Sequence, residues 1–417
     1  MAKRIWIVNY YTSSPELASN PRYLEFARHF QEAGYEVLTL NSSVKHGTDI
    51  SLVPDGKKYL RKQYGEFDFV HIKSPHYVGN GVKRVWSIFM FAIRLLFLCK
   101  KFPKPDLILH NVHTPFDYPV LWVAKRLHAK YIAEAWDLWP RAFANYGMLP
   151  EKSLFMKLAY RIEYRLYRKA DHLVFTMEGC LDYLRDHQWT TDTGGKISPE
   201  KVTYINNGIN LAQFDKDKAD YPRDDEDMND PNIYKIIYLG SVRLANNVKE
   251  IINAAVLLKD NPKYRFFIYG DGVDRPLLEQ YVADNKIENV VFKEKRIPLC
   301  EVAWVVSQAT VNLMNYEAKF GYYGASSGKM FQYMAAGRPI CCNIELRYSE
   351  IKKHNIGISE QLSTPEEYVS AIRKLAEQTK DEYDAMCKRV RKAAMLFDYN
   401  KLAAEEMKVL ESCFDEE

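Results

Sequence analysis

A lysine and a glutamine stand three residues apart in the stretch SSGKMFQYMAAGRPI. The pattern predicts a helix that begins after Ser326 or Ser327, whose side-chain oxygen would cap it, and that ends at Gly337. Lys329 and Gln332 then share one helix face. A lysine in the first turn opposes the helix dipole by about 0.3–1 kcal/mol unless an anion neutralises it. We therefore expect a ligand phosphate at this end; a core helix with a solvated lysine and glutamine is the simpler alternative.

A second set of candidates follows a predicted strand in YLGSVRLANNVKE. Gly240 and Ser241 form the turn, and a helix is predicted to begin near Val248. The N–H groups of such a turn and a helix N-terminus favour an anion, and Arg243 could bind a diphosphate through two hydrogen bonds. Asn246, in the same loop, is assigned to the same site. An ordinary strand-to-helix loop with a surface arginine fits this stretch equally well.

The turn YGDG ends the next predicted strand. A Gly-Asp-Gly turn is common, so the motif by itself indicates little. Its position is more informative, because the carboxyl ends of parallel strands lie at one edge of a sheet. We therefore assign Gly270 and Asp271 to the same ligand site as Gly240.

Carboxylates and histidines follow predicted strands in the N-terminal half. In EAWDLWPRAF, Glu134 and Asp137 stand beside two tryptophans and could line a polar pocket with aromatic walls. A tryptophan-rich core corner with Asp137 as an N-cap is the alternative. Glu178, in FTMEGC, is placed at the start of a helix, where the dipole stabilises a carboxylate in any case. His46 ends a strand, where a histidine is more often a core group than a catalyst.

The composition limits the class of protein. A chain of 417 residues is long enough for two domains. Its 58 basic and 54 acidic residues give a net charge of +4, which is too balanced to indicate nucleic acid. Seven cysteines without a Cys-x-x-Cys pair suit reduced thiols in the cytosol, and no spacing typical of a metal site occurs. A dinucleotide fingerprint and a P-loop are both absent from the sequence.

Strand-like and helix-like runs alternate along the chain, which predicts α/β architecture with doubly wound parallel sheets. A polar stretch interrupts the pattern and separates two Rossmann-like halves. We expect two such domains facing across a cleft, and a C-terminal helix that is compatible with packing on either domain. The predicted ranges are 1–214 for the first domain, 215–232 for the linker, 233–395 for the second domain and 396–417 for the helix.

Two segments are candidates for contact with a membrane surface. The run VWSIFMFAIRLLFLC is too short to span a bilayer and contains Arg94. It is either a core helix with a thin polar edge or a helix that also enters a membrane surface. The polar edge would consist of Lys83, Ser87, Arg94 and Lys101. A later helix carries a basic stripe that is either solvated or placed on lipid phosphates; its members are Lys157, Arg161, Arg165 and Arg168.

Taken together, several motifs resemble the retaining glycosyltransferases of family 4, which have the GT-B fold, and in particular the bacterial subgroup that builds surface polysaccharides. The motifs occur in the order of that family and span nearly the whole chain. Each is weak alone, and the set is fairly specific. They are VNYYTSSPELASNPRYLEFARHFQEAGYEV, AWDLWP, FTMEG, INNGINLAQF, YLGSVRLANN, YGDG and SSGKMFQYMAAGRPI.

The resemblance implies a UDP- or GDP-linked sugar donor in the C-terminal domain and no cofactor or metal. Arg243 and Lys329 would neutralise the diphosphate leaving group, and Gln332 would reach the nucleotide ribose. The anomeric configuration would be retained, with Asp137 near the reacting carbon. The donor-binding set implied in this way is Gly240, Ser241, Arg243, Asn246, Gly270, Asp271, Lys329 and Gln332.

The resemblance also implies a glycan or polyprenyl-linked acceptor in the N-terminal domain. Candidates on that side are Glu134, Glu178 and His46. We expect no nucleic acid partner, and we expect a cytoplasmic enzyme that works at the inner face of the cell membrane.

The chain departs from the family at a pair of positions that often carry glutamate. Here they are Gly324 and Gln332. A glutamine can still bind hydroxyl groups, but it carries no charge. These departures keep open a non-catalytic protein that binds a nucleotide sugar. A nucleotide-sugar 2-epimerase is a second alternative, because it shares the two-domain fold.

Overall fold

The chain divides into two compact units in the computed structural model. The first unit consists of Met1–Asn206 and Tyr399–Glu417, and the second of Asn207–Asp398. Each unit contains one β-sheet. The structure describes residues 2–17, 21–46, 48–77, 79, 81–145, 149–317 and 322–415.

The first unit contains an eight-stranded sheet with the order β3-β4-β2-β1-β5-β6-β7-β8. All neighbours are parallel except β3, which pairs antiparallel with β4. Most strands are buried along nearly their whole length, as expected for a parallel sheet that is covered on both faces. The strands are β1 (Arg4–Val8), β2 (Glu36–Ser42), β3 (Tyr59–Tyr64), β4 (Phe67–Ile72), β5 (Leu107–Asn111), β6 (Lys130–Ala135), β7 (His172–Phe175) and β8 (Val202–Tyr204).

The second unit contains a six-stranded parallel sheet with the order β11-β10-β9-β12-β13-β14. The strand order reverses at β9, which lies between β10 and β12; ligands bind at such a switch point, beyond the carboxyl ends of the strands. The strands are β9 (Tyr234–Leu239), β10 (Tyr264–Tyr269), β11 (Val290–Phe292), β12 (Val311–Met314), β13 (Ile340–Cys342) and β14 (Gly357–Ser359).

Helices connect the strands in both units. They are α1 (Arg22–Glu32), α2 (Val82–Leu98), α3 (Tyr118–Leu127), α4 (Trp139–Asn145), α5 (Leu154–Lys169), α6 (Cys180–Asp186), α7 (Leu211–Asp220), α8 (Glu226–Asn229), α9 (Val248–Val256), α10 (Arg275–Asp284), α11 (Leu299–Ser307), α12 (Gly328–Ala336), α13 (Glu350–Lys353), α14 (Pro365–Ala376), α15 (Lys380–Ala394) and α16 (Tyr399–Asp415). Short 3₁₀ turns lie at Cys99–Lys101, Pro115–Asp117, Thr191–Thr193, Pro199–Lys201, Leu244–Asn246 and Met395–Phe397.

The helices of the first unit form two layers. Crossovers between parallel strands are right-handed, so the connections from β4 through β7 place α2, α3 and α5 on one face of the sheet. The connection from β1 to β2 places α1 on the other face, where α16 packs against it. Leu402, Val409 and Leu410 of α16 join the buried core formed by α1 and the strands.

The predicted α/β class with two Rossmann-like parallel sheets is confirmed. The antiparallel strand β3 was not predicted. Its sequence YLRKQY is mostly polar because it forms the sheet edge, and a tight turn at Gly65, whose φ is +58°, joins it to β4. Within the described residues, no helix is long and apolar enough to cross a membrane.

The segment predicted to be a linker, residues 215–232, lies inside the second unit. It contains most of α7 and all of α8, and α7 contacts α11. Met228 is buried, and the carboxylates of Asp225 and Asp227 both accept hydrogen bonds from Lys293. The segment is therefore not a free linker. A buried methionine and two paired aspartates hold it on the second unit, although its overall composition is polar.

Candidate functional site

The loops after β9 and β10 pack so closely that a glycine is required between them. A β-carbon on Gly270, whose φ is +125°, would lie 1.8 Å from the carbonyl oxygen of Gly240. The N–H of Gly240 donates to the carbonyl oxygen of Tyr269 at 3.0 Å, and that of Val242 donates to that of Asp271 at 2.9 Å. Gly240, Gly270 and Asp271 therefore meet at one edge of the second sheet.

Lys329 extends from the first turn of α12 to this edge. A β-carbon on Gly240 would lie 2.9 Å from Nζ of Lys329, and Nζ lies 4.8 Å from the ring centroid of Tyr238. On the same helix, the Tyr333 hydroxyl accepts from the N–H of Leu239 at 3.2 Å and donates to its carbonyl oxygen at 3.3 Å. These bonds hold α12 against the end of β9, so the backbone from which the Lys329 side chain extends is held at this edge.

The electrostatic environment of Lys329 suits an anionic ligand. Burial lowers the pKa of its ammonium group to about 8, and the nearby Cys342 thiol acts weakly in the opposite direction. No carboxylate from the described part of the chain contributes to this shift. A desolvated cation without an acidic partner is stabilised when a ligand brings a negative charge close to it.

The loop after β9 is held by its own side chains. The Tyr238 hydroxyl donates to the carbonyl oxygen of Ser241 at 2.8 Å, and Nδ2 of Asn246 donates to that oxygen and to the Ser241 hydroxyl at 2.9 and 2.7 Å. Asn246 therefore braces the loop. Arg243 is exposed between these two residues, and α9 begins at Val248 as expected.

The predicted serine cap of α12 is wrong. Ser327 occupies the N-cap position but makes no side-chain cap bond, and the Ser326 hydroxyl accepts from the N–H of Asn207 at 3.2 Å instead. The first N–H groups of α12 are therefore not covered by a serine side chain, which leaves this end suited to an anion. Gln332 is half-buried one turn after Lys329.

Two other positions near this edge have distinctive backbones. Gly324 has φ of +102°, a conformation that other residues rarely adopt, so a glutamate there would be strained. The backbone conformation at this position therefore disfavours the glutamate that related sequences often carry there. The Asp271 carboxylate is exposed and accepts from the N–H of Gly272 at 2.9 Å, which stabilises the turn.

In the first unit, Asp137 is exposed after the carboxyl end of β6. Surrounding protein reduces the hydration of its carboxylate and raises its pKa, while the Arg84 guanidinium acts in the opposite direction. Its neighbour Trp136 stacks on Tyr23 with a centroid separation of 5.2 Å. Asp137 therefore stands at an aromatic corner as an exposed residue whose carboxylate is partly surrounded by protein.

Glu134 does not line an open pocket. It is fully buried, accepts from Nε and Nη2 of Arg22 at 2.9 and 2.5 Å, and accepts a further hydrogen bond from the Tyr23 hydroxyl. Arg22 also donates to the carbonyl oxygens of Ile205 and Asn206. The predicted acceptor-side role of Glu134 is therefore replaced by a structural one, because a partner 112 residues away in the sequence neutralises it.

His46 belongs to an aromatic cluster beyond the carboxyl ends of the first strands. Its Nδ1 lies 2.8 Å from the Tyr77 hydroxyl, and its ring meets Tyr11 edge to face at 5.6 Å. The Tyr11 ring also contacts His113 at 4.5 Å, and Nε of Arg84 donates to the Tyr11 hydroxyl at 2.6 Å. Tyr11, Arg84 and His113 were not predicted, although each follows a strand or begins a helix at this edge.

Glu178 is half-buried between β7 and α6. The helix begins at Cys180, with Gly179 as its N-cap, so Glu178 precedes the first turn and does not occupy it. The structure thus gives two groups of candidates, each at the carboxyl edge of its own sheet. The group in the second unit includes Gly240, Gly270 and Lys329.

The chain contains two Rossmann-like sheets, and Lys329 lies at the switch point of the second one. These features place the chain in the GT-B class. Residues 22–213 match the family described as Glycosyltransferase Family 4, and residues 233–378 match the family described as Glycosyl transferases group 1. The chain belongs to glycosyltransferase family 4 and has the GT-B fold.

Relatives agree with this assignment. The chain is 22% identical over 287 residues to a protein of Pseudomonas aeruginosa named probable glycosyltransferase WbjE, a match that spans 67% of this chain and 66%, just under two thirds, of the relative. The structure of Anabaena HepE in complex with UDP is similar with a TM-score of 0.67 and 12% identity, covering 98% of this chain and all of that one. WaaG, described as a glycosyltransferase involved in lipopolysaccharide biosynthesis, has a TM-score of 0.63 and 14% identity over 96% of this chain and 98% of its own.

Proposed function

We propose that this protein is a retaining glycosyltransferase that transfers a hexose-type sugar from a nucleoside-diphosphate sugar to a glycan or polyprenyl-linked acceptor. The observation that carries the proposal is the position of Lys329. Its ammonium group is desolvated, lies against Gly240 and lacks an acidic partner among the described residues. A diphosphate leaving group supplies the negative charge that such a lysine needs.

The donor is a UDP- or GDP-linked sugar. The complex of HepE with UDP supports a uridine nucleotide, since that protein has the same fold. Lys329 and the exposed Arg243 would hold the diphosphate, with the loops of Gly240 and Gly270 allowing its close approach. Gln332 would hydrogen-bond a ribose hydroxyl as a neutral group. No metal ion is required in this scheme, because two cationic side chains take its place.

In the reaction, the bond between the anomeric carbon and the leaving oxygen breaks as the acceptor oxygen forms a bond on the same face of the sugar. The departing phosphate takes the proton of the acceptor hydroxyl, so charge and atoms balance. Lys329 and Arg243 stabilise the negative charge that develops on the leaving group. The carboxylate of Asp137 would stabilise the positive charge on the sugar, and the cluster of His46 and Tyr11 would contact the acceptor.

The biological setting is synthesis of a surface polysaccharide at the cytoplasmic face of a membrane. The structural neighbour WaaG supports this setting, because it is described as involved in lipopolysaccharide biosynthesis. A lipid-linked acceptor would require the enzyme to work at the bilayer surface.

A ligand panel tests the proposal. Purified protein is screened against UDP- and GDP-linked sugars by thermal shift, because a donor present at about 100 times its Kd stabilises the protein by about 2.7 kcal/mol. Donors that bind are then assayed for release of nucleoside diphosphate and for sugar transfer. We expect Lys329→Ala and Arg243→Ala to lose both signals, whereas Lys388→Ala, an exposed lysine on α15, keeps them.

Other outcomes separate the alternatives. Conversion of the donor sugar to its 2-epimer without any acceptor would establish the epimerase. Binding without turnover for every donor and acceptor tried would support a non-catalytic binding protein. Lack of binding to any nucleotide sugar would overturn the proposal.

A further inference from the structure

Exposed apolar side chains of the first unit are concentrated on one layer. All the large ones among its described residues, except Ile50, lie on α2, α3 and α5, which contact one another. Soluble surfaces rarely collect such residues on one face without a partner. The members, here called the α2–α3–α5 face, are Val82, Trp86, Phe97, Trp122, Leu154, Phe155 and Leu158.

Helix α2 is apolar on both sides. Its inner side buries Phe91 and Leu95, whereas Trp86 and Phe97 on its outer side are 53% and 74% exposed. The partly exposed Ile93 lies between these two outer residues, at helical spacing. An ordinary surface helix carries polar residues on its outer side, so this one is adapted to an apolar environment outside the protein.

The predicted polar edge of α2 turns inward instead. Ser87 is buried, where it donates to the carbonyl oxygen of Pro75 at 2.6 Å and accepts from the Tyr10 hydroxyl at 2.7 Å. Arg94 is half-buried and donates to the carbonyl oxygen of Lys73. The prediction of a thin solvated edge through Ser87 and Arg94 is therefore wrong: these two polar groups turn to the protein, whereas Lys83 stays exposed.

The same layer lacks exposed negative charge. The sequences of α2, α3 and α5 contain one carboxylate, Glu163, which is buried and accepts hydrogen bonds from Tyr167 and Tyr183 at 2.9 and 2.6 Å. The opposite layer, α1 and α16, exposes Glu32, Glu405 and Glu411 and differs in this respect. Exposed cations of the α2–α3–α5 layer are Lys83, Lys125, Arg126, Lys157, Arg161, Arg165, Arg168 and Lys169.

A basic pocket of about 430 Å³ adjoins the end of α2. Phe97 forms part of its wall, so the pocket is continuous with the α2–α3–α5 face. No carboxylate lines it, although Lys73 pairs with the exposed Asp55 at 3.0 Å. The basic side chains lining it are Lys57, Lys58, Lys73, Arg94 and Lys101.

We propose that the α2–α3–α5 face docks on a bilayer surface rich in anionic phospholipid. Trp86, Phe97 and Leu154 enter the headgroup region, where aromatic and apolar side chains are favoured. The arginines of α5 and the pocket at the end of α2 bind lipid phosphates. The inference extends the proposed setting at a membrane, but it does not depend on sugar transfer.

Vesicle co-sedimentation tests it without any donor present. We expect the protein to pellet with vesicles of equimolar phosphatidylglycerol and phosphatidylcholine and not with phosphatidylcholine alone. The double variant Arg161→Glu/Arg165→Glu should bind at least about tenfold more weakly. The matched control Lys388→Glu/Lys392→Glu reverses two exposed charges at the same spacing on α15 and should bind like the wild type.

An apolar pair of variants tests the insertion. Trp86→Ser/Phe97→Ser should weaken vesicle binding about tenfold or more, whereas Val273→Ser/Leu277→Ser, at exposed positions of the second unit, should not. The proposal would be overturned if the control variants lost as much vesicle binding as the variants of the α2–α3–α5 face. It would also be overturned if the wild type did not pellet with anionic vesicles. A dimer by light scattering that dissociates in Trp86→Ser/Phe97→Ser would also overturn it, because a second copy would then cover the face. Donor binding by the same variants in solution reports separately on the proposed enzyme.

Discussion

The ammonium group of Lys329 lies so close to Gly240 that a β-carbon there would stand 2.9 Å from Nζ. This relationship joins the first turn of α12 to the end of β9. It places a cation at the carboxyl edge of the second sheet, where we propose that the diphosphate of the donor binds. Substitutions at the two positions therefore test the same contact.

Gly240→Ala should weaken donor binding without unfolding the protein. The added methyl group meets the flexible end of Lys329 and not fixed backbone, so the lysine moves and the fold is kept. We expect about a tenfold loss of donor affinity by calorimetry, the cost of one displaced charge-assisted hydrogen bond. Gly328→Ala is the control, because nothing lies within 4 Å of that position and alanine favours a helix. Equal affinities in the two variants would contradict the assigned role of the Gly240 contact.

Lys329→Met should make the protein without donor more stable and less able to bind. Below a pH of about 8 the wild type keeps a partly desolvated charge, which methionine removes. We expect a small rise in Tm of the free protein and the loss of the rise that donor produces. Differential scanning calorimetry with and without donor measures both. A lower Tm for the free variant would show that the lysine is structural.

The pKa of Lys329 predicts a pH dependence. Its folded value of about 8 is below the 10.5 of a solvated lysine. The unfolded state therefore binds more protons between these values, and the stability of the free protein gains from rising pH in that window. The gain should be absent in Lys329→Met. Donor affinity should fall in the wild type as pH rises above about 8, and Lys329→Arg should keep its affinity to higher pH because arginine stays charged.

Glu134→Gln should destabilise the first unit strongly. The change leaves Arg22 buried beside a neutral partner, which costs about 3–5 kcal/mol. Glu66→Gln, which breaks an exposed pair with Arg28 at 3.0 Å, should cost less than about 1 kcal/mol. Urea denaturation followed by circular dichroism compares them. A stable Glu134→Gln protein with impaired acceptor use would restore the role in acceptor binding that the burial of this residue argues against.

Asp137→Asn should impair transfer and spare the fold. Asparagine keeps the shape of this side chain on an exposed residue, so the free energy of unfolding should change by no more than about 0.5 kcal/mol. Donor affinity should stay close to that of the wild type, while kcat falls at least about tenfold if the charge stabilises the transition state. Calorimetric binding and steady-state kinetics separate these effects. Unchanged kcat would exclude Asp137 from catalysis.

The second unit was the more predictable from sequence. Strand periodicity and glycine turns predict β9, β10 and their loops. The helical pattern that ends at Gly337 predicts α12. The details that failed depend on partners distant in the chain. Ser326 does not cap the helix because it accepts a hydrogen bond from Asn207, 119 residues earlier. The tyrosines around Lys329 carry no local signal that would mark them as its neighbours.

The first unit was less predictable because its polar residues are paired by tertiary structure. The sequence predicts Glu134 as a site residue, whereas in the fold Arg22 neutralises it. The contact of Arg84 with Tyr11 joins residues 73 positions apart. Helix periodicity correctly indicated one polar stripe on α2, but not that Ser87 and Arg94 would find backbone acceptors inside.

The most direct test of the account is the rate and stereochemistry of sugar transfer, followed by NMR with the donor that the panel selects. We expect a product with the anomeric configuration of the donor, and a rate that falls about a hundredfold or more in Lys329→Ala, because stabilisation of a charged leaving group is lost. An inverted product would contradict the retaining mechanism. Transfer at an unchanged rate in Lys329→Ala would contradict the central claim that this lysine binds the diphosphate.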